Sequence, residues 1–476
     1  LFFRYLGYSS LNGTMVDATT VRNLIAFWLF GLCNNYAYVI MLSAAGDIID
    51  QQTGVNPAPS NDINTCVKEI TGRDCDTIST GAILLADIIP SLCIKATFPF
   101  FMQRIPFGFR MLVVILFQTG SYLMVAFSVN MPMSIAGVVF ASVCSGLGEI
   151  TLLSLTSYYP KTMISAWSSG TGGAGVVGSF AYAALTEPSL GGLSPTNALL
   201  VMLVVPALFA ISYWVILKMP DTVYSPGFNP KTWIVPLNHD ETARAERSDS
   251  KKEVLRIAIT DGEDYIVPDE EISSYDLQRS DKAIIDDEKV PQRALSMKEK
   301  LILIVPLLKY MIPLALVYFG EYIINQGIVQ LIFFDCASGF GISKNGQYRW
   351  YQVLYQVGVF ISRSSVNILP LPRVVLYILP VLQIANAIFF FFDALYFFVP
   401  HIAILFVLIV IEGLLGGASY VNTFNNIHKE VAPDVREYSI SVASASDSFG
   451  IVVSGFLSIP IHNFICGQPL PGIPGS

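Results

Sequence analysis

Trp167–Phe180 reads WSSGTGGAGVVGSF, a crowd of glycines set inside an otherwise apolar run. Gly170, Gly172 and Gly175 satisfy G-x-G-x-x-G, the spacing of a dinucleotide-binding loop. Such a loop needs a buried strand before it, a helix N-terminus to meet the pyrophosphate, and an acid about 20 residues further on. Glu149–Pro160, upstream, is too long and too continuous with its apolar neighbours to be one strand, and Glu187 comes too early, beside Pro188. The alternative is a membrane helix whose small residues let a neighbouring backbone approach closely. The pattern returns near the other end of the chain: Gly450–Phe456 reads GIVVSGF against GVVGSF at Gly175–Phe180, each behind a serine-rich approach. Two matching small-residue helices in two halves predict an internally repeated transporter. The nucleotide reading is rejected.

Composition agrees. The chain is 53% hydrophobic and 13% charged, with a mean hydropathy of +0.56, and several windows exceed the ~18 apolar residues of a spanning helix. A net charge of −8 argues against nucleic acid as a partner, because phosphate neutralisation needs a clustered basic surface. The seven cysteines form no C-x-x-C and no Cys/His cluster, so neither a metal nor a cofactor is expected. Cys66 and Cys75 share one hydrophilic loop and are the expected disulfide if that loop faces an oxidising lumen.

Taken in order, residues 1–20 form a tail and residues 21–218 a first set of six spans, interrupted by a polar loop at 46–78. Residues 219–300 are polar and charged with few large aliphatics, the composition of a disordered linker. Five further spans occupy 301–465, and 466–476 is a short tail. The fold class is therefore an all-α polytopic membrane protein of about eleven spans, six plus five. With the N-terminus in the cytosol, the short cytosolic turns carry Arg104, Arg110, Lys161, Arg373, Lys429 and Arg436. The turns Asn130–Met133, Thr186–Pro195 and that around Pro400 carry no Lys or Arg. This is the positive-inside pattern, and it places loop 46–78 and the C-terminal tail in the lumen.

The ordered motifs RNLIAFWLFGLCNN (Arg22–Asn35), LLADIIP (Leu84–Pro90), VVFASVCSGLGE (Val138–Glu149) and WSSGTGGAG (Trp167–Gly175) resemble the battenin family, as do EYIINQG (Glu321–Gly327), YRWYQVLYQVGVFISRSS (Tyr348–Ser365) and EGLLGGASYVNTFNNI (Glu412–Ile427). The resemblance covers nearly the whole chain apart from the linker and both tails. It implies a major-facilitator-like fold, distantly akin to equilibrative nucleoside transporters, and a lysosomal and late-endosomal membrane address. It also implies a role in exporting glycerophosphodiesters, the deacylated remnants of phospholipids. The one Asn-x-Ser/Thr sequon, at Asn12–Thr14, falls on the side read as cytosolic, where the family's luminal sequons do not. The acidic patch Asp261–Ile272 reads as solvated linker, with the binding of sorting proteins as the functional alternative.

The residues that cost most in a membrane are the charges within spans: Asp87, Lys95, Glu149, Glu321, Arg363, Asp393, Glu412 and Asp447. Lys95 lies in the first half and Arg363 in the second, so an anionic or zwitterionic phosphodiester between the halves would meet both cations. Arg offers a bidentate fork, Lys a point charge. Against this, Arg363 lies late in its span and could snorkel to the headgroups. Glu321, Asn325 and Gln326 cluster within two turns and suit the substrate's polar ends, as do Asn34 and Asn35 in the first span. Glu149 and Glu412 occupy the fourth spans of their halves and are candidates for carrying a proton, against a reading as helix-to-helix hydrogen bonds. Gly170, Gly172, Gly175 and Gly450 are assigned to helix packing. Enzyme chemistry finds no support: the four histidines are scattered and no G-x-S-x-G elbow occurs. The rival to transport is a scaffold or regulator of endolysosomal trafficking.

Overall fold

The computed structural model describes residues 18–53, 66–70, 72, 73, 75, 80–186, 191–220, 222–226, 233–236, 293 and 295–470. The linker, the acidic patch, the sequon and both tail ends lie largely outside them. No strand occurs among the described residues. The first half comprises α1 (Ala18–Thr53), α2 (Thr80–Thr97), α3 (Phe107–Ala126), α4 (Met131–Leu155) and α5 (Thr162–Thr186). Its sixth span is α6 (Pro195–Val201) and α7 (Val204–Ile211) in tandem, finished by a π turn. The second half comprises α8 (Met297–Ile323), α9 (Lys344–Arg363), α10 (Arg373–Tyr396), α11 (Ile402–Glu430), and the tandem α12 (Arg436–Ala443) and α13 (Ala445–Cys466).

Helix starts follow the local chemistry. Asn130 accepts a hydrogen bond from the Met133 amide to cap α4, and Ser296 with Glu299 forms a reciprocal capping box on α8. Ser194 and Ser343 cap α6 and α9 in the same way. Eight of the segments are long and apolar enough to cross a membrane. The three other long helices, α2, α5 and α9, are of crossing length. They are the helices that carry Asp87 and Lys95, the glycine-rich run, and Arg363. Asp87 and Lys95 are buried within the bundle instead of facing lipid.

The glycine-rich helix packs as its composition demands. A methyl group on Gly170 would overlap the Trp28 carbonyl of α1, and one on Gly31 of α1 would overlap the Trp167 carbonyl. In the second half, a methyl on Gly450 of α13 would overlap the Ala315 carbonyl of α8. In both halves, therefore, the fifth span lays a glycine on the backbone of the first span, which gives the internal repeat a physical form. Gly172 and Gly175 face the other half: a Cβ on Gly172 would stand 2.9 Å from the Phe360 Cα of α9, and one on Gly175 would meet the Gln356 side chain.

Two expectations are corrected. The loop expected from residue 46 begins later, because α1 continues to Thr53. Cys66 and Cys75 are both oxidised but not to each other: Cys66 pairs with Cys336 and Cys75 with Cys466, across 270 and 391 residues. The loop after α1 leaves its own half and lies on the second. The Cys336 amide donates to the Val67 carbonyl at 2.8 Å, and Arg73 donates to the Ala394 and Leu395 carbonyls at 2.6 Å. Arg73 thereby satisfies carbonyls that α10 leaves open at its C-terminus. Proximity in sequence suggested one pairing, and the tertiary course of the loop selects another.

At the opposite end, the basic turns meet acids of the second half. Arg373 and Lys309 surround Glu430, Arg110 lies 3.7 Å from Glu437, and Tyr158 donates to Glu437 at 2.8 Å. Replacing Gly170 by Ala should destabilise the protein by about 1–3 kcal/mol through overpacking against the Trp28 backbone. The check is the thermal midpoint of purified protein against Gly173→Ala, where a methyl would meet only side chains, at 3.4 Å and beyond. Equal midpoints would refute the close contact.

Candidate functional site: a charged cavity between the halves

The site grows from Lys95, at the C-terminal end of α2. Its amine lies 2.6 Å from a Glu149 oxygen of α4 and 3.0 Å from Asp447 of α13, with all three side chains buried. Glu149 also accepts from the Tyr420 hydroxyl of α11 at 2.8 Å. One cation thus holds a carboxylate from each half. Charges buried away from water persist only when paired and hydrogen-bonded, so this cluster is a fixed feature of the interface.

Beside it opens a cavity of about 100 Å³, enough for several waters or a compact polar solute. Asn35, Asp87, Lys95, Glu149, Arg363 and Asp447 line it together with five tyrosines, Tyr38, Tyr318, Tyr322, Tyr355 and Tyr420. Arg363 reaches in from α9. Its guanidinium donates to the Thr171 hydroxyl at 2.6 Å and the Tyr318 hydroxyl at 2.7 Å, and stacks 4.3 Å from the Tyr420 ring centre. No carboxylate forms an ion pair with it among the described residues, and its Nε has no hydrogen-bond partner. Arg363 does not snorkel; it points into the protein. Asp87 is its counterpart in sign, buried with neither carboxylate oxygen hydrogen-bonded.

Of the expected substrate contacts, Lys95, Arg363 and Asn35 line this one cavity, as does Glu149. Glu321 stands one layer behind, accepting a hydrogen bond from the cavity-lining Tyr355. Asn325 turns away to donate to Glu412 at 2.8 Å, and neither of them lines the cavity, nor does Gln326. A π turn over Ile324–Ile328 causes this, since it rotates Asn325 and Gln326 off the face that α8 presents to the centre. Asn34 donates to the Ser145 carbonyl of α4 at 3.2 Å and ties α1 to α4. Sequence reasoning missed Tyr355, Gln356 and Tyr420. For the two tyrosines the signal was a phenol in the middle of a membrane-length run, which is costly in lipid but common enough at interfaces to be passed over.

Two helical halves that enclose a polar cavity between them, joined by a long linker, define the architecture of major-facilitator transporters. The human organic anion transporter MFSD10 (TETRAN) superposes with a TM-score of 0.51 at 10% identity, covering 95% of each chain, and so shares the fold. The particular family follows from sequence. Residues 25–468 match the family described as CLN3 protein, and the chain belongs to it. Battenin of Canis lupus familiaris is 41% identical over 451 residues, 94% of this chain and 91% of that protein. Protein btn-1 of Neurospora crassa is 34% identical over 465 residues, 96% of this chain and 91% of the relative.

Removing the Lys95 charge should leave two buried carboxylates facing one another. Lys95→Met is therefore expected to cost about 3–5 kcal/mol, read as loss of folded protein after solubilisation. Adding Glu149→Gln and Asp447→Asn to Lys95→Met should restore most of the yield. A triple variant no better than the single would show that the cluster does not act as a unit.

Proposed function

We propose that the chain is a lysosomal and late-endosomal transporter that exports glycerophosphodiesters from the lumen. The observation that carries this reading is Arg363: a half-buried arginine whose guanidinium lines the central cavity, with no carboxylate ion-paired to it among the described residues. A phosphodiester is a fixed anion at physiological pH, and a guanidinium meets two of its oxygens at once. The tyrosine hydroxyls around the cavity supply donors and acceptors for the glycerol end, with Asn35 beside them. Membership of the CLN3 family and likeness to battenin support the lysosomal address.

Lys95 enters the scheme through its partners. While Glu149 and Asp447 are both ionised, its charge is more than compensated. A proton taken up by Glu149 on the luminal side would leave Lys95 with one carboxylate, free to share the substrate's phosphate with Arg363. Binding of the anion and binding of the proton then favour each other, which is reciprocal coupling between two sites. Glu412 lies outside the cavity and takes no part in this step.

The decisive experiment is uptake of labelled glycerophosphodiesters by the purified protein in vesicles. Losing one charge-assisted contact costs about 1.5–3 kcal/mol, so Arg363→Lys should weaken apparent affinity about 10- to 100-fold. Uptake unchanged in Arg363→Ala would refute the site, and no uptake by the intact protein would favour the trafficking-regulator reading. With transport established, Glu149→Gln should keep uptake while abolishing its stimulation by an acidic lumen. Stimulation equal to wild type would remove Glu149 from the coupling.

A further inference from the structure

A second cavity, of about 300 Å³, lies at the end of the bundle that carries the basic turns. Its walls include Gln103, Arg104 and Arg110 before and within α3, Tyr158 after α4, and Lys300 and Glu437 from the second half. Among the described residues its walls hold three cations and one carboxylate, an excess of about two positive charges. Basic residues retained only by the positive-inside rule sit in water among headgroups. Two of these do not: Arg110 is 2% exposed and Lys300 6%.

Glu437, 3.7 Å from Arg110, is the one carboxylate on these walls among the described residues, and the other hydrogen bonds of the two cations go to neutral carbonyls. Arg110 donates Nε to the Ile105 carbonyl at 2.7 Å, lies over the Phe107 ring at 4.2 Å, and keeps its Nη1 buried without a partner. Lys300 donates to the Phe100 carbonyl. Arg104 lines the same cavity as Lys300 and Arg110. A buried cation pays a desolvation cost that backbone carbonyls offset only in part, so the arrangement is complete when an anion occupies the cavity.

We propose that this cavity binds a phosphate monoester, with Arg104, Arg110 and Lys300 as its cationic walls. A phosphate monoester carries about −1.5 to −2 charges near neutral pH, matching the excess. Arg104 and Arg110 belong to the first half and Lys300 to the second, so the bound anion bridges the halves at their cytosolic ends. It stabilises the closed arrangement of that end, where Tyr158 and Arg110 already meet Glu437. Ligand there regulates opening toward the cytosol without touching the central cavity. The phosphate has two sources with the same chemistry: a soluble ester from the cytosol, or the headgroup of an anionic lipid in the adjoining leaflet.

The test uses the full chain purified into phosphatidylcholine nanodiscs, with thermal unfolding as the readout. One arm adds glycerol phosphate, with potassium chloride of equal ionic strength as the control. The other replaces part of the phosphatidylcholine by phosphatidic acid. A raised midpoint in the first arm identifies a soluble ester, and one confined to the second identifies the lipid headgroup. Arg104→Gln, at an exposed position whose loss leaves no buried carboxylate unpaired, should weaken the effect about 10-fold. Glu437→Gln, if it folds, should strengthen it. The proposal is overturned if neither arm shifts the midpoint beyond the chloride control, or if Arg104→Gln responds as the intact protein does. It is equally overturned if phosphate acts only after removal of Asp261–Ile272, which would make the chain's own acidic segment the occupant.

Discussion

A lysine amine surrounded by hydrocarbon must keep its counter-ions within hydrogen-bonding reach, and in this protein that requirement spans the two halves. Lys95 on α2 holds Glu149 from its own half and Asp447 from the other. Removing either half would strand a charge, so the interface is set by electrostatics as much as by packing. The neighbouring contacts follow from it. Tyr420 can donate to Glu149 only because α11 is drawn against α4, and the Tyr420 ring then supplies the face on which Arg363 rests. A cavity with a guanidinium on one wall and a carboxylate on another, neither ion-paired among the described residues, is what remains between these fixed points.

Much of the architecture was legible in the chain. Long apolar runs and the returning glycine pattern each constrain the backbone locally, and local constraints can be read one segment at a time. The glycines at 170 and 450 were assignable to packing because nothing else in a membrane helix calls for so many small residues. Which backbone each would meet was not legible, since Trp28 and Ala315 carry no mark of the contact.

The site was legible in part. That Lys95 and Arg363 face a common space could be read from their rarity and from one lying in each half. The partners of Lys95 could not, since Asp447 lies 352 residues away and sequence carries no distance between helices. Asn325 and Gln326 misled for a geometric reason, because an extra residue in one turn of α8 swings them out of register. Cys66 and Cys75 misled for a topological one. A loop read as belonging to the first half is bonded at both cysteines to the second.

That bonding sets a length. Four residues separate Cys75 from Thr80, where α2 begins, and five peptide units extend to about 17 Å at most. Cys75 is in turn fixed to Cys466 at the foot of α13, with 6.1 Å between their Cα atoms. The N-terminal end of α2 is therefore on a covalent leash to the opposite half. Any rocking of the two halves apart at this end has a maximum stroke, defined by chain length and not by the strength of any non-covalent contact. In an oxidising compartment the leash stays closed, and the same protein with its disulfides reduced would have a wider mouth.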